Sequence, residues 1–162
     1  MKRLALSFLC GTLAAQTPDP LAPLRSLAGA WVGEGGGDPG QGEGAFTFTS
    51  RLGGRVLVRE SWSAYPAQGG RPAFRHEDLM TVYAEGGALK ALYWDNEGHT
   101  IPYEVAAGPD RITFTSPAGQ GPRFRLTYRL TAPDRVHVAF AIAPPGQPEA
   151  FRVYVEGDSR RR

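Results

Sequence analysis

Apolar and polar residues alternate with a period of two along most of the chain after Trp31. In the clearest run, residues 124–130, four apolar or aromatic side chains alternate with arginine, threonine and arginine. A strand in an antiparallel sheet points successive side chains to opposite faces, so one apolar face and one solvated face produce this pattern. From residue 28 onward, no stretch of ten residues has helical periodicity free of proline and glycine. The pattern therefore predicts an all-β domain.

Short clusters of turn-forming residues separate the alternating runs, among them Glu85-Gly86-Gly87, Asn96-Glu97-Gly98 and Pro133-Asp134. The 21 glycines and 14 prolines of the chain are typical of many short strands joined by turns. We count about ten strands in sequential hairpins. Closing this meander removes its exposed edges and leaves room for one small ligand. The prediction is an up-and-down antiparallel barrel with a short helical turn at Leu21–Leu27, and an open two-sheet sandwich is the alternative.

The first fifteen residues have the organisation of a secretory signal peptide. Lys2 and Arg3 precede an apolar run, and Ala14 and Ala15 supply the small residues of a cleavage site. The run is shorter than the ~20 residues that span a bilayer. We therefore expect a signal peptide at 1–15, a mobile lead-in at 16–23, the barrel at 24–157 and a basic tail at 158–162. The expected location is the periplasm or the medium, with no transmembrane segment after cleavage.

Charge argues against a nucleic-acid partner. The net charge of +2 comes from Lys2 and Arg3, so the mature chain has 16 basic and 16 acidic residues. The only cysteine, Cys10, leaves with the signal, so packing must stabilise the domain without disulfides. The glycine-rich segment from Gly33 to Gly44 lacks the Lys-Ser/Thr of a phosphate loop and is expected to be a flexible loop at one barrel end.

The start of the barrel reads Leu27-Ala28-Gly29-Ala30-Trp31-Val32-Gly33-Glu34-Gly35 and resembles the first strand of the calycin barrels. These include lipocalins, fatty-acid-binding proteins and nitrobindin-type haem barrels, and the Trp-x-Gly-x-Gly form is most similar to the last group. The resemblance implies that Trp31 plugs one end beneath a late arginine, either Arg152 or Arg129. Nitrobindins hold haem through a histidine on a late strand. Here the last strand has none, and His137 lies on the less apolar face of its strand.

Polar residues with binding or catalytic chemistry concentrate between Arg75 and Tyr103. A turn near Gln68 would bring Glu60 close to His76, a turn near Gly86 would bring Asp78 towards Tyr93, and the Asn96-Glu97-Gly98 turn would set Asp95 beside His99. Histidine with carboxylates can bind a metal, move a proton or hold a polar ligand group. No HxH or HExxH spacing is present, so we assign no metal ligands. The expected ligand-binding residues are Glu60, Trp62, His76, Asp78, Tyr93, His99 and Tyr103.

These observations favour an exported protein that binds a small, largely apolar molecule in its barrel and is not an enzyme. The chain has no Gly-x-Ser-x-Gly elbow, and the mature part has no cysteine nucleophile. Three alternatives stay open. They are a hydrolase or isomerase with His76 or His99 as general base beside Asp78, Asp95 or Glu60, a haem-binding barrel, and an envelope interaction protein with a filled barrel. The sequence does not identify a cofactor.

Overall fold

A computed structural model describes residues 19–34 and 43–162 of the chain. Within these residues ten antiparallel strands close into a barrel, and each strand pairs with the next along the chain. The last strand pairs back onto the first, with Trp31 opposite Arg161, so the sheet has no free edge. The prediction of an all-β up-and-down barrel is confirmed, and the two-sheet alternative is wrong.

The strands follow a short 3-10 helix at Ala22–Leu27, and a second lies at Leu52–Gly54. The strands are β1 Gly29–Glu34, β2 Glu43–Arg51, β3 Val56–Tyr65, β4 Phe74–Glu85, β5 Ala88–Asp95, β6 Thr100–Ala107, β7 Arg111–Thr115, β8 Arg123–Ala132, β9 Arg135–Ala143 and β10 Arg152–Arg161. The predicted signal peptide and most of the glycine-rich loop lie outside the described residues. Within the described ranges, no helix combines the length and the apolar character needed to cross a membrane.

The β4–β5 hairpin shows how the turn residues set the register. Gly86 and Gly87 both have positive φ angles, of 59° and 81°, which suit the tight turn between two antiparallel strands. The turn places Glu85 opposite Ala88 and continues the pairing to Asp78 opposite Asp95. A two-residue turn therefore fixes which residues of β4 and β5 share a barrel layer.

One end of the barrel is closed by the short N-terminal helix and by Trp31. Leu24, Leu27 and Trp31 are fully buried there, and the Trp31 indole donates a hydrogen bond of 2.9 Å to the Leu27 carbonyl. The guanidinium of Arg161 lies 4.3 Å from the centre of the Trp31 ring and donates a 2.8 Å hydrogen bond to the Ser26 carbonyl. We call this the plugged end.

The arginine that covers Trp31 is thus Arg161, and the assignment to Arg152 or Arg129 is wrong. Arg152 is exposed at the opposite end of β10, and Arg129 pairs with His137 on the outer face of the barrel. The reason is the length of the last strand. β10 continues to Arg161 because its backbone pairs with β1, so residues 158–161 belong to the barrel rather than to a solvated tail.

The barrel interior divides into a filled part and a more accessible part. Side chains that are fully buried lie towards the plugged end and around the centre, among them Phe48, Val82, Ile112, Tyr128 and Val136. Other inward-facing side chains pack against this core and are only half-buried, namely Leu89, Tyr93, Ile101, Val105, Phe124, Leu130, Val138 and Phe140.

Candidate functional site

Polar side chains face inward at the end of the barrel away from Trp31, which we call the mouth. Pairing places Ser61 opposite Asp78, and Asp78 opposite Asp95, so these three share one layer of the inner face. Ser63 and His76 form the next layer outward. Strands β3, β4 and β5 therefore supply a polar wall to the mouth.

A buried ion pair lies at the base of this wall. Arg59 of β3 bonds Asp78 of β4, and their side chains are only 8% and 6% exposed. Burial favours the neutral form of Asp78, but the Arg59 guanidinium, and then His76, outweigh it and hold the pKa of Asp78 below its usual range. The pair leaves this part of the interior polar and electrically neutral.

Two buried polar atoms beside the pair lie close to each other but make no hydrogen bond of good geometry within the described residues. These are Arg59 Nε and the hydroxyl of Tyr128, which faces inward from β8. Burial raises the pKa of Tyr128 to about 12, although the Arg59 guanidinium opposes the rise. Burial likewise raises the pKa of Tyr103, which packs edge-on against Phe114. Buried donors without partners are rare in proteins, because each costs roughly 1–3 kcal/mol. A polar group between them, either a water molecule or a ligand oxygen, would satisfy both.

His76 lies above the ion pair and connects it to the rim of the mouth. Its Nε2 atom is 3.1 Å from the Tyr93 hydroxyl and 3.6 Å from the Asp78 carboxylate. Its Nδ1 atom is 2.8 Å from a carboxylate oxygen of Glu97. Contact with Asp78, assisted by Glu97 and opposed by burial, raises the pKa of His76 above its ordinary value.

The turn between β5 and β6 holds the second histidine of the mouth. Asp95 accepts hydrogen bonds from the backbone N–H groups of Glu97 and His99, at 3.0 and 2.9 Å. His99 Nδ1 lies 2.8 Å from the same carboxylate, and the Tyr93 hydroxyl lies 3.2 Å away. Burial opposes ionisation, yet these bonds hold the pKa of Asp95 below its usual range. The turn is a rigid support for its carboxylates.

Asn96 ties this turn to the start of β4. Its side chain donates a 2.8 Å hydrogen bond to the Arg75 carbonyl and accepts one of 3.0 Å from the Glu77 N–H. The Asn96 backbone N–H also donates to the Glu77 carbonyl, at 3.0 Å. These bonds fix the position of the turn relative to His76.

The structure brings five of the polar residues considered from the sequence together at the mouth, and it separates the others. Adjacent in one network are His76, Asp78, Tyr93, Asp95 and His99. Tyr103 faces inward one layer deeper and packs edge-on against Tyr93, with ring centres 6.3 Å apart.

Glu60 and Trp62 do not join the network, so the expected proximity of Glu60 to His76 is wrong. Glu60 pairs with Leu79, and Trp62 pairs with Glu77, on the outer face of the barrel. The longer β3–β4 connection shifts the partner of Glu60 by three residues from His76 to Leu79. An odd shift reverses the face on which a side chain lies.

Trp62 instead lines an open groove on the outside of strands β2–β5. The groove has a volume of about 590 Å³, and its lining includes Glu60, Leu79 and Trp94. The guanidinium of Arg75 lies over the Trp62 ring at 4.4 Å from its centre. This outer groove is separated from the mouth by the sheet itself.

The wall of the mouth opposite the polar strands is aromatic. Phe124 of β8 and Phe140 of β9 face inward and stack with ring centres 6.0 Å apart and an interplanar angle of 10°. Both rings are half-buried. The mouth therefore has a polar side and an apolar side.

His137 lies outside the barrel. Its Nδ1 is 2.9 Å from Asp158 and its Nε2 is 3.2 Å from Glu156, both on β10. The late-strand histidine of nitrobindin-type barrels therefore has no inward-facing counterpart in β9 or β10.

Sequence reasoning missed Arg59, Glu97 and Tyr128. Arg59 carried a signal, because it occupies the position of an apolar residue in the inward register of β3, between Leu57 and Ser61. Glu97 was counted only as a turn residue, although the Asp95-x-Glu97-x-His99 spacing around Gly98 places three polar side chains on one tight turn. Tyr128 gave no signal, since its alternation is that of a core residue.

Neither a family model nor a curated protein sequence matches this chain. The closed ten-stranded antiparallel barrel is compatible with a calycin-like fold. Any proposal of function therefore rests on the geometry of the mouth.

Proposed function

We propose that the protein binds a small, largely apolar molecule in the mouth of the barrel through one neutral polar group. The observation that carries the proposal is the pair of buried donors, Arg59 Nε and the Tyr128 hydroxyl, which lie close to each other and make no hydrogen bond of good geometry within the described residues. A carbonyl or hydroxyl oxygen of a ligand placed between them would accept both hydrogen bonds. It would thereby remove the cost of burying two donors without partners.

Charge decides between a neutral ligand and an anion. Asp78 already compensates the charge of Arg59, and both side chains are nearly excluded from water. An added carboxylate would bring a second negative charge next to Asp78 in a region of low dielectric constant, which is costly. A ketone, ester or alcohol fits the neutral interior without this penalty.

The aromatic side of the mouth would hold the apolar part of the ligand. Phe124 and Phe140 present half-buried rings to the interior, and Ile101 and Val105 of β6 are half-buried as well. Covering such surface removes apolar area from water at roughly 25 cal/mol per Å². Pockets lined by apolar side chains with a few fixed polar groups are the usual form of small-molecule sites.

Membership of the calycin superfamily and export to the periplasm or the medium are part of this proposal. The Gly29-x-Trp31 opening, the plugged end under Arg161 and the closed barrel support the first. The charged, apolar and small-residue order of residues 1–15 supports the second.

A second candidate function, general-base catalysis, is favoured by one observation. His99 Nδ1 lies 2.8 Å from the Asp95 carboxylate, and the carboxylate is fixed by two backbone N–H groups. This is the arrangement by which a carboxylate orients a histidine base. A hydrolysis screen with chromogenic esters tests it. Turnover lost in His99→Ala would support the candidate, whereas turnover unchanged by this substitution would remove it.

Calorimetric titration with methyl hexyl ketone, octanol and octanoate tests the binding proposal. These probes share one chain length and differ in the polar group, so affinity differences report on Arg59 and Tyr128. The ketone and the alcohol are expected to bind in preference to octanoate, and Tyr128→Phe should weaken the ketone by roughly tenfold, the equivalent of one hydrogen bond. Preference for octanoate, or equal ketone affinity in Tyr128→Phe, would overturn the proposal.

A further inference from the structure

We propose that His76, Asp95 and Glu97 form a divalent metal site on the rim of the mouth. One potential ligand atom from each residue lies within 4.8 Å of the other two. The histidine comes from β4, and the carboxylates come from the end of β5 and the turn that follows. This is the one such group of three or more within the described residues.

The close contact between His76 Nδ1 and Glu97 holds a proton in the metal-free protein, and a metal ion can take the place of that proton. His76 Nε2 is close to the Tyr93 hydroxyl, and the Tyr93 hydroxyl is close to Asp95. If each of these donates along that chain, the His76 proton lies on Nε2 and the Nδ1 lone pair faces the Glu97 carboxylate at 2.8 Å. Two lone pairs at this separation repel each other unless a proton or a metal ion lies between them.

The residues around the three ligands have the character of a metal's outer shell. A histidine that binds a metal usually donates its other N–H to a neighbouring acceptor, as His76 Nε2 does towards Tyr93. Asp95 is oriented by the Glu97 and His99 N–H groups and by the His99 ring. The Asn96 bonds to β4 fix the distance between the turn and His76. To bind an ion, Asp95 would exchange one of its hydrogen bonds, from Tyr93 or His99, for the metal, while the turn keeps its position.

Ligand type and number indicate which ion would bind. One imidazole and two carboxylates suit Zn²⁺ or Mn²⁺ better than Cu⁺, which prefers sulfur ligands. Three protein ligands leave at least one coordination position for water or another small molecule. Glu97 is 46% exposed, so an ion can reach the site from solvent.

The outer cluster around His137 provides a comparison within the same chain. It also has one histidine and two carboxylates, but Asp158 lies at Nδ1 and Glu156 lies at Nε2. Within the described residues, this cluster does not bring one ligand atom from each of its three residues within 4.8 Å of the other two, as the rim cluster does. The expectation of no metal ligands rested on spacing along a single segment, whereas the proposed ligands come from two strands brought together by the fold.

The metal site is independent of the ligand proposal. Its atoms lie on the rim, whereas the proposed ligand donors are Arg59 Nε and the Tyr128 hydroxyl in the interior. Zn²⁺ binding with no response to the ketone, or the reverse, would separate the two proposals.

Zn²⁺ titration into the metal-free full-length chain by calorimetry tests the proposal, with Co²⁺ absorption as a second readout. One ion per chain is expected. Loss of an outer-shell residue typically weakens metal binding by about 10–100-fold, and His99→Ala should weaken Zn²⁺ binding by about this factor. Glu97→Gln removes a proposed ligand and should weaken Zn²⁺ binding at least as much. His76→Ala should abolish the Co²⁺ ligand-field bands. His137→Ala is the matched control and should leave the affinity unchanged.

Glu97→Gln is the decisive variant, because the side chain is about half exposed and the substitution removes its charge while keeping its shape. Absence of Zn²⁺ binding by the wild-type chain would overturn the proposal. Equal affinity in wild type, Glu97→Gln and His76→Ala would do the same, and so would loss of binding in His137→Ala alone.

Discussion

Arg59 and Asp78 form an ion pair between neighbouring strands inside the barrel, where both side chains are more than nine-tenths buried. The pair is held by the register of β3 and β4, which places Ser61 opposite Asp78 and Arg59 opposite Met80. It introduces charge at the base of the polar wall, next to a core of aromatic and aliphatic side chains. The energetics and the proposed ligand chemistry of the mouth both follow from it.

Removing one partner of this pair should be strongly destabilising. Asp78→Asn leaves the Arg59 charge buried without compensation, and losses of about 3–5 kcal/mol are typical for such changes. Urea denaturation measures the difference. Glu77→Gln is the control, since the neighbouring Arg75–Glu77 pair is about half exposed and should contribute under about 1 kcal/mol. Similar losses in both variants would contradict a buried, water-excluded pair.

Removing both charges together should restore most of the stability. Apolar pairs of similar volume often replace buried ion pairs at no cost or with a gain of roughly 1–4 kcal/mol. The double variant Arg59→Met, Asp78→Leu is therefore expected to be far more stable than Asp78→Asn, while ketone binding is lost. A double variant as unstable as Asp78→Asn would show that the pair stabilises the fold.

The plugged end should depend on Arg161 and not on its neighbour. Arg161→Ala removes the contact with the Trp31 ring and the hydrogen bonds to Ser26 and Ala28, and we expect a loss of about 2–4 kcal/mol. Arg160→Ala is the matched control, since this side chain is 54% exposed and should contribute under about 1 kcal/mol. Thermal and urea unfolding would show whether the two variants differ.

Tyr128 should make the free energy of unfolding decrease as the pH rises through the alkaline range. A phenol whose folded pKa is raised to about 12 stays neutral in the fold, whereas the unfolded chain ionises near pH ~10. Its contribution is complete below pH ~10 and is lost as the pH rises towards the folded value. The unfolding free energy of wild type should fall more steeply over this interval than that of Tyr128→Phe. Parallel curves would contradict the burial of the hydroxyl.

The same substitution should separate stability from binding. Tyr128→Phe removes a buried hydroxyl that has no partner, so the ligand-free variant should be as stable as wild type or more stable by up to ~1 kcal/mol at neutral pH. Ketone affinity should fall at the same time. A variant that is destabilised and binds normally would indicate a structural role for the hydroxyl.

Fold class could be predicted from the sequence because period-two alternation is a property of each strand by itself. The turn glycines at Gly86-Gly87 located the β4–β5 hairpin, although its register pairs Asp78 with Asp95 rather than with Tyr93 or Trp94. Asp78 and Tyr93 share the inner face, whereas Trp94 lies on the outer face. Glu60 could not be placed, because the connection between Tyr65 and Phe74 is long and does not dictate a register. A shift of three residues moved it to the outer face.

The covering arginine illustrates a different limit. Arg161 lies in a basic C-terminal run that resembles a solvated tail when read by composition. Arg161 belongs to β10, which forms because its backbone pairs with that of β1. This pairing closes the sheet and depends on the whole barrel. Arg59 and Tyr128 are likewise identified as a site only when strands β3 and β8 face each other across the interior.

The resonance of the Arg59 Nε–H group in proton–nitrogen correlation spectra reports directly on a ligand bound inside the barrel. This donor is buried, and methyl hexyl ketone is expected to shift its resonance in a saturable, one-to-one manner. The shift should disappear in Tyr128→Phe at the same ketone concentration. If the Arg59 Nε–H resonance stays unchanged while the ketone saturates the protein, the ligand binds elsewhere and the proposed site is wrong.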